Sequence, residues 1–178
     1  YGFGRMMTNA GRSSSCGIEA GLRGQAFNDR LAWTVNYGLT RAVFKEYIDS
    51  VSTQGSLTAV DYKNKKVPFI PTHTLSASAD YRLPLAGRLK AVVIGANVSA
   101  QGKTYWDEAN SYNQAFHAVA GAHAMADFGW LTVDLWGRNL TNTKYNTFAA
   151  SSAATGKTLY FGQLGNPFQC GVDLRLHF

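Results

Sequence analysis

Long apolar runs are missing from this chain of 178 residues. Stretches such as "AVVI" and "AVAGA" stop after a few residues, far short of the roughly 20 that a membrane-spanning helix requires. Any crossing of a bilayer therefore falls to strands. Charge is sparse as well, with Asp, Glu, Lys and Arg together at 16%. The 17 Lys and Arg that give a net charge of +6 are scattered, not gathered in a patch, and no nucleic-acid module is readable, which excludes nucleic acid as a partner. Cysteine is limited to Cys16 and Cys170, both on the apolar side of alternating stretches, where free Cys behaves as a small hydrophobe. A disulfide would need their strands to be neighbours, for which the sequence gives no support.

Catalytic signatures are also wanting. The four His residues stand in no Ser or Cys constellation from which a nucleophile, a base and an orienting acid can be assembled. "GFG" and "GKT" lack the context of a phosphate loop, and Gly156-Lys157-Thr158 has no leading Gly at the required spacing. His117 and His123, six residues apart on one strand, would lie about 20 Å from one another, too far to share a metal ion. They read as lumen-facing or interfacial polar residues. The expectation is a protein that is not an enzyme and has no metal or cofactor. Tyr1 is not a start residue, and "YGFGRMMTNAGRS" lacks the pattern of a signal peptide. A processed or truncated beginning is expected.

What the chain does have is alternation. In "NPFQCGVDLRLHF", Phe168, Cys170, Val172, Leu174, Leu176 and Phe178 occupy every second position, with Gln169, Gly171, Asp173, Arg175 and His177 between them. Successive side chains of a strand point to opposite faces, so one face is apolar and the other wet. Cys16 to Ala26 and Leu31 to Thr40 repeat the pattern around a tight "NDR" turn, as do Thr72 to Leu83 and Leu131 to Arg138. "LKAVVIGANVSAQG" and "QAFHAVAGAHAMA" follow it more weakly. Seven full strands result, with a possible partial one at Tyr1 to Met7. The connections alternate between short turns and longer loops, at about Asp49 to Pro71, Lys103 to Tyr112 and Thr143 to Asn166. Short turns on one side and long loops on the other belong to a transmembrane β-barrel. Lipid offers no partner to backbone polar groups, so such a sheet must close on itself.

"NAGRSSSCGIEAGL", "KKVPFIPTHTLSASADYRL" and "VDLWGRNLTNTKYNTF" with the later "GQLGNPFQCGVDLRLHF" resemble the TonB-dependent outer-membrane receptors in motif, order and spacing. "TYWDEAN" and the Asn-Leu-Thr-Asn stretch look most like iron-complex receptors of Bacteroides-type bacteria. The resemblance implies an all-β fold, a transmembrane antiparallel β-barrel of roughly 22 strands. This chain would supply its C-terminal seven to eight strands, without the plug or earlier strands. It further implies a place in the bacterial outer membrane, contact with outer-membrane lipid, and energy from the TonB–ExbB–ExbD complex through a missing N-terminal region. The ligand would be a ferric siderophore or similar iron complex. Phe178, Leu176 and Leu174 would form the signature presented to the barrel-assembly machinery.

Within that frame the loops carry the candidate ligand contacts: Tyr105, Trp106, Asp107 and Tyr112 around "TYWDEAN", and Phe148 and Tyr160 in the last loop. Large aromatics at strand ends suit either an interface girdle or a ligand platform. Asp107 and Glu108 read equally well as solvated loop charges. Asn139 with Thr141 spells a glycosylation acceptor, but a bacterial setting favours a structural role at the strand's outer end. Two other architectures remain open: a complete small outer-membrane barrel with a structural or adhesion role, and a soluble β-sandwich whose apolar faces meet each other. An open sheet would expose two unpaired edges, so the isolated chain is expected to aggregate.

Overall fold

The computed structural model describes residues 11–53, 56–154 and 157–178; the partial strand expected at Tyr1 to Met7 lies outside them. In chain order the strands are β1 (Arg12–Ala26), β2 (Leu31–Glu46), β3 (Ile48–Thr53), β4 (Ser56–Asp61), β5 (His73–Pro84), β6 (Ala91–Gln101), β7 (Thr104–Tyr105), β8 (Asn113–Gln114), β9 (His117–Asp127), β10 (Leu131–Arg138), β11 (Asn146–Ala154), β12 (Lys157–Leu164) and β13 (Gln169–Leu176). Seven of them, in the order β1-β2-β5-β6-β9-β10-β13, form one antiparallel meander. The other six pair as three hairpins, β3-β4, β7-β8 and β11-β12. Each hairpin rises from a long connection at the same end of the wall.

Register explains why the alternation persists. Gly24, Trp33, Ala79, Ala96, Ala122, Gly137 and Cys170 are successive cross-strand partners across all seven strands. The next row, Ala26, Leu31, Tyr81, Ile94, Ala124, Leu135 and Val172, runs parallel to it. A slip of one residue in any strand would move its apolar set to the wet face, so the rows fix one another. This face is uncovered: Ile18, Leu22, Ile94, Leu135, Val172 and Leu174 are all more than half exposed. An apolar face of this breadth on a wall without a second layer suits hydrocarbon, not water. The ten steps from Cys16 to Ala26 cover roughly 34 Å along the strand, or roughly 26 Å across a bilayer at a tilt of about 40°.

Between the apolar rows lie polar ones. Gln25, Ala32, Asp80, Gly95, His123, Trp136 and Gly171 form one such row. Gly95 is what lets Asp80 and His123, on the strands either side of it, approach to 3.6 Å; a Cβ there would overlap both side chains. His117 and His123 therefore have separate neighbours, as their spacing predicts.

The wall's short turns close the other end. Phe27, Asn28 and Asp29 take φ of 56, 55 and 61° between β1 and β2, a left-handed run that the Asn and Asp tolerate better than the Phe. Phe27 meets Tyr81 edge to face at 6.5 Å, and Phe27 and Trp130 are well exposed, the placement of an interfacial girdle. β1 and β13 lie at opposite ends of the meander and do not pair. Cys16 and Cys170 are thus far apart and free, and among the described residues the sheet has two open edges, which disfavours a small closed barrel.

The structure corrects the expected loops in one respect. Asp49 to Pro71 and Thr143 to Asn166 are not irregular but contain the β3-β4 and β11-β12 hairpins, and β2 runs on to Glu46. These extensions stand beyond the apolar belt with both faces outside lipid, so nothing forces a clean apolar and polar alternation on them.

Candidate functional site

The three long connections are tied to one another above the wall. Phe69 N–H donates to the Tyr105 carbonyl at 2.8 Å, and Gly102 N–H to that of His73 at 2.8 Å. Asn110, at φ 59°, joins the first and second connections as a surrogate backbone unit. Its Oδ1 accepts from Lys66 N–H at 2.8 Å and its Nδ2 donates to the Lys66 carbonyl at 2.9 Å. Gln114 joins the second to the third, its Oε1 accepting from Asn146 N–H at 2.8 Å.

Aromatic rings meet where these connections converge. Phe69 and Phe148 stack with centroids 6.0 Å apart and planes within 6°. Trp106, only 9% exposed, meets Phe69 edge on at 5.6 Å and Phe148 at 6.5 Å. Phe69 and Trp106 also line a recess of about 540 Å³, with Gln114, His117, Val119 and Tyr145 among its other walls. His117 and Tyr145 form a stacked pair at 4.5 Å and 15°. Tyr145 fits there because Gly165 carries no Cβ, which would collide with its ring. His117 Nδ1 is buried and has no hydrogen-bond partner.

The turn carrying Tyr145 is built by the Asn-Leu-Thr-Asn stretch. Asn139 is 2% exposed at φ 49°. Its Nδ2 donates to the carbonyls of Thr143 and Asn166 at 3.0 and 2.9 Å, while its Oδ1 accepts from Thr143 N–H at 2.8 Å. Asn142 repeats the left-handed conformation and accepts from Phe168 N–H at 3.0 Å. The sequon is thus a structural knot, as a bacterial setting favours.

Of the residues singled out from sequence, Trp106 and Phe148 come together in the aromatic cluster as loop packing, not as a girdle. Tyr112 and Tyr160 form a second pair at 5.4 Å, edge to face. Tyr105 stands apart, with the Lys103 ammonium 5.0 Å from its ring centre. Asp107 faces inward to its own turn, accepting from Ser111 N–H at 2.8 Å and from Tyr112 N–H at 3.3 Å. Phe69, Gln114 and Tyr145 were not singled out. Phe69, at φ 64° between Pro68 and Pro71, sits in a stretch whose two prolines were the one visible sign of a fixed backbone. Below the loops a smaller core of Phe44, Tyr47 and Tyr62 supports the first hairpin. Burial, then the nearby charges of Asp49 and Glu108, raise the Tyr62 pKa above its usual 10.0. Among the described residues no three His, Cys, Asp or Glu side chains converge as a metal site would require.

Residues 2–140 match the family described as "TonB dependent receptor-like, beta-barrel". The chain belongs to the TonB-dependent receptor β-barrel family. It is accordingly part of an outer-membrane β-barrel of the receptor family. Its fold is similar to that of the ferric yersiniabactin uptake receptor FyuA from Yersinia pestis, at a TM-score of 0.75 and 20% identity, over 96% of this chain and 24% of that one. The siderophore receptor PiuA from Acinetobacter baumannii matches at 0.72 and 19%, over 91% and 21%. BauA, the ferric preacinetobactin receptor of the same species, matches at 0.63 and 16%, over 94% and 22%. The chain thus spans about a quarter of the length of these receptors.

Proposed function

We propose that this TonB-dependent barrel segment belongs to an active-transport receptor that captures a ferric siderophore or similar iron complex. The observation that carries the reading is the convergence of three outer connections on one aromatic-walled recess of about 540 Å³, within the size range of small-molecule sites. The likeness to three receptors named for siderophores supports the ligand class. In this reading the segment is the C-terminal part of a barrel of roughly 22 strands, and it supplies wall and outer loops. The rest of the receptor provides the plug and the contact with the TonB–ExbB–ExbD complex. Trp106 contacts the ligand in the recess, with Phe148 packed against it and Tyr112 and Tyr160 forming a further aromatic pair on the loops, while Tyr105 and Asp107 hold the second loop in shape. Leu174, Leu176 and Phe178 present the assembly signal to the barrel-assembly machinery.

The mechanism is binding followed by gated release, with no covalent step. The test is uptake of radiolabelled iron by cells carrying or lacking the full-length receptor, supplied with single ferric siderophores under iron limitation. Loss of uptake for one siderophore class on deletion is the expected result. Unchanged uptake of every iron complex, with loss of growth on cobalamin or an oligosaccharide instead, would overturn it.

A further inference from the structure

The recess is neutral in a chain that is not. Among the described residues that wall it, none is Asp, Glu, Lys or Arg; the polar ones are Ser99, Gln101, Thr104, Gln114, Asn146 and Thr147, with His117 and Tyr145. Two charged neighbours in the second connection are engaged elsewhere. Lys103 places its ammonium over Tyr105, and the Asp107 carboxylate is taken up by the amides of Ser111 and Tyr112. A charged group entering this space would gain no counter-ion from these residues, which is unfavourable to the extent that it is withdrawn from water. A flat uncharged ring would meet aromatic surfaces from two pairs that line the recess, Phe69 with Trp106 and His117 with Tyr145. His117 Nδ1, which has no hydrogen-bond partner, together with Ser99 and Gln101 of the lining, would satisfy its polar substituents.

We propose that this recess recognises an uncharged aryl or heteroaryl ring bearing an amide-like substituent, and rejects a carboxylated ring of the same size. Phe69, Gln114, His117 and Tyr145 are its determinants, in addition to Trp106. The inference rests on the uptake reading, of which it specifies the part of the ligand that enters here. Any anionic portion of the ligand stays outside, among the lysines of the loops.

The test uses the full-length receptor in detergent and ligand-observed saturation-transfer NMR with three probes. N-methylbenzamide is neutral and aromatic, benzoate is charged and aromatic, and N-methylcyclohexanecarboxamide is neutral and not aromatic. N-methylbenzamide should bind about tenfold more tightly than either of the others. Val119→Trp, which fills the recess, should abolish its signal, and Tyr145→Leu should weaken it several-fold. Whichever of the two variants reaches the outer membrane in parental amount suffices. Benzoate binding as tightly as the amide, no binding of N-methylbenzamide, or binding that neither variant alters would each overturn the proposal. Iron uptake by the same receptor is scored separately. Uptake without amide binding sinks this inference alone, whereas amide binding without uptake of any iron complex sinks the transport reading.

Discussion

Replacing Asn139 by Ala tests whether the Asn-Leu-Thr-Asn stretch is a structural knot. The side chain makes three hydrogen bonds, two to carbonyls and one from an amide, at 2.8 to 3.0 Å in a position 2% exposed. Each contributes about 1 kcal/mol net. Ala at φ 49° adds about 1 kcal/mol, because a Cβ disfavours the left-handed region that Asn tolerates. Some of the freed backbone groups regain water, so the local cost is about 3 kcal/mol, equivalent to roughly 150-fold in an opening equilibrium. Hydrogen exchange of the peptide spanning Asn139 to Asn146, measured by mass spectrometry on the full-length receptor in detergent, reads that opening directly. Asn139→Gly keeps the backbone conformation and should recover about 1 kcal/mol of the loss. Thr141→Ala removes only an exposed contact between hydroxyls and should change exchange by less than about threefold. If Asn139→Ala were no worse than Thr141→Ala, the turn would not depend on this side chain and the argument would fail.

Three further outcomes follow from the same reasoning. Val35→Arg, on the apolar face, should destabilise the receptor by about 2–4 kcal/mol in urea unfolding from detergent, and Thr34→Arg, one residue along on the polar face, by about 0–1 kcal/mol; equal costs would refute the assignment of faces. Asn110→Ala removes both bonds to Lys66 and one to the Asp107 carbonyl, so exchange at Lys66 should accelerate by about 30-fold or more while the Asn139 turn stays protected. Tyr62 has a raised pKa in the fold, so above pH 10.0 the unfolded chain loses its proton first. Stability contributed by the Phe44, Tyr47 and Tyr62 packing is therefore full below that pH and falls as pH rises toward the folded value. Loop opening that sets in above pH 10.0 should be absent in Tyr62→Phe, and an identical pH profile in the variant would contradict it.

The wall was legible because lipid imposes a rule at every position. Leu31, Trp33, Val35, Tyr37 and Leu39 reveal a strand without any knowledge of its neighbours, and the short turns at "NDR" and "PLAGR" fix which strands meet. Above the belt no such rule operates. Ile48–Thr53 and Lys157–Leu164 are strands of the long connections, where no lipid boundary sets an apolar and a polar face. The recess is less legible still, since Phe69, Trp106, His117 and Tyr145 come from four separate stretches that only the register of the wall and the amide bridges of Asn110 and Gln114 bring together. Aromatic residues at loop positions pointed to Trp106 and Phe148. Nothing in sequence pointed to Tyr145, whose place depends on a glycine twenty residues later and on a buried asparagine.

That division of constraints accounts for the combination of a TM-score of 0.75 with only 20% identity. The wall asks each strand for an apolar residue at alternate positions and little more, so many sequences satisfy it and drift apart without losing the fold. The outer connections face the opposite demand. There the geometry rests on individual side chains, such as Asn110 completing a missing backbone pair and Gly165 vacating room for a ring, and a single exchange reshapes the recess. Likeness of the wall therefore does not fix which ligand of that class is bound. On the proposed reading, this segment's share in discriminating ligands resides in the few residues that join the three connections and wall the recess. A change of ligand class should be achievable by exchanging Phe69, Gln114, His117 and Tyr145 while every lipid-facing row is left untouched.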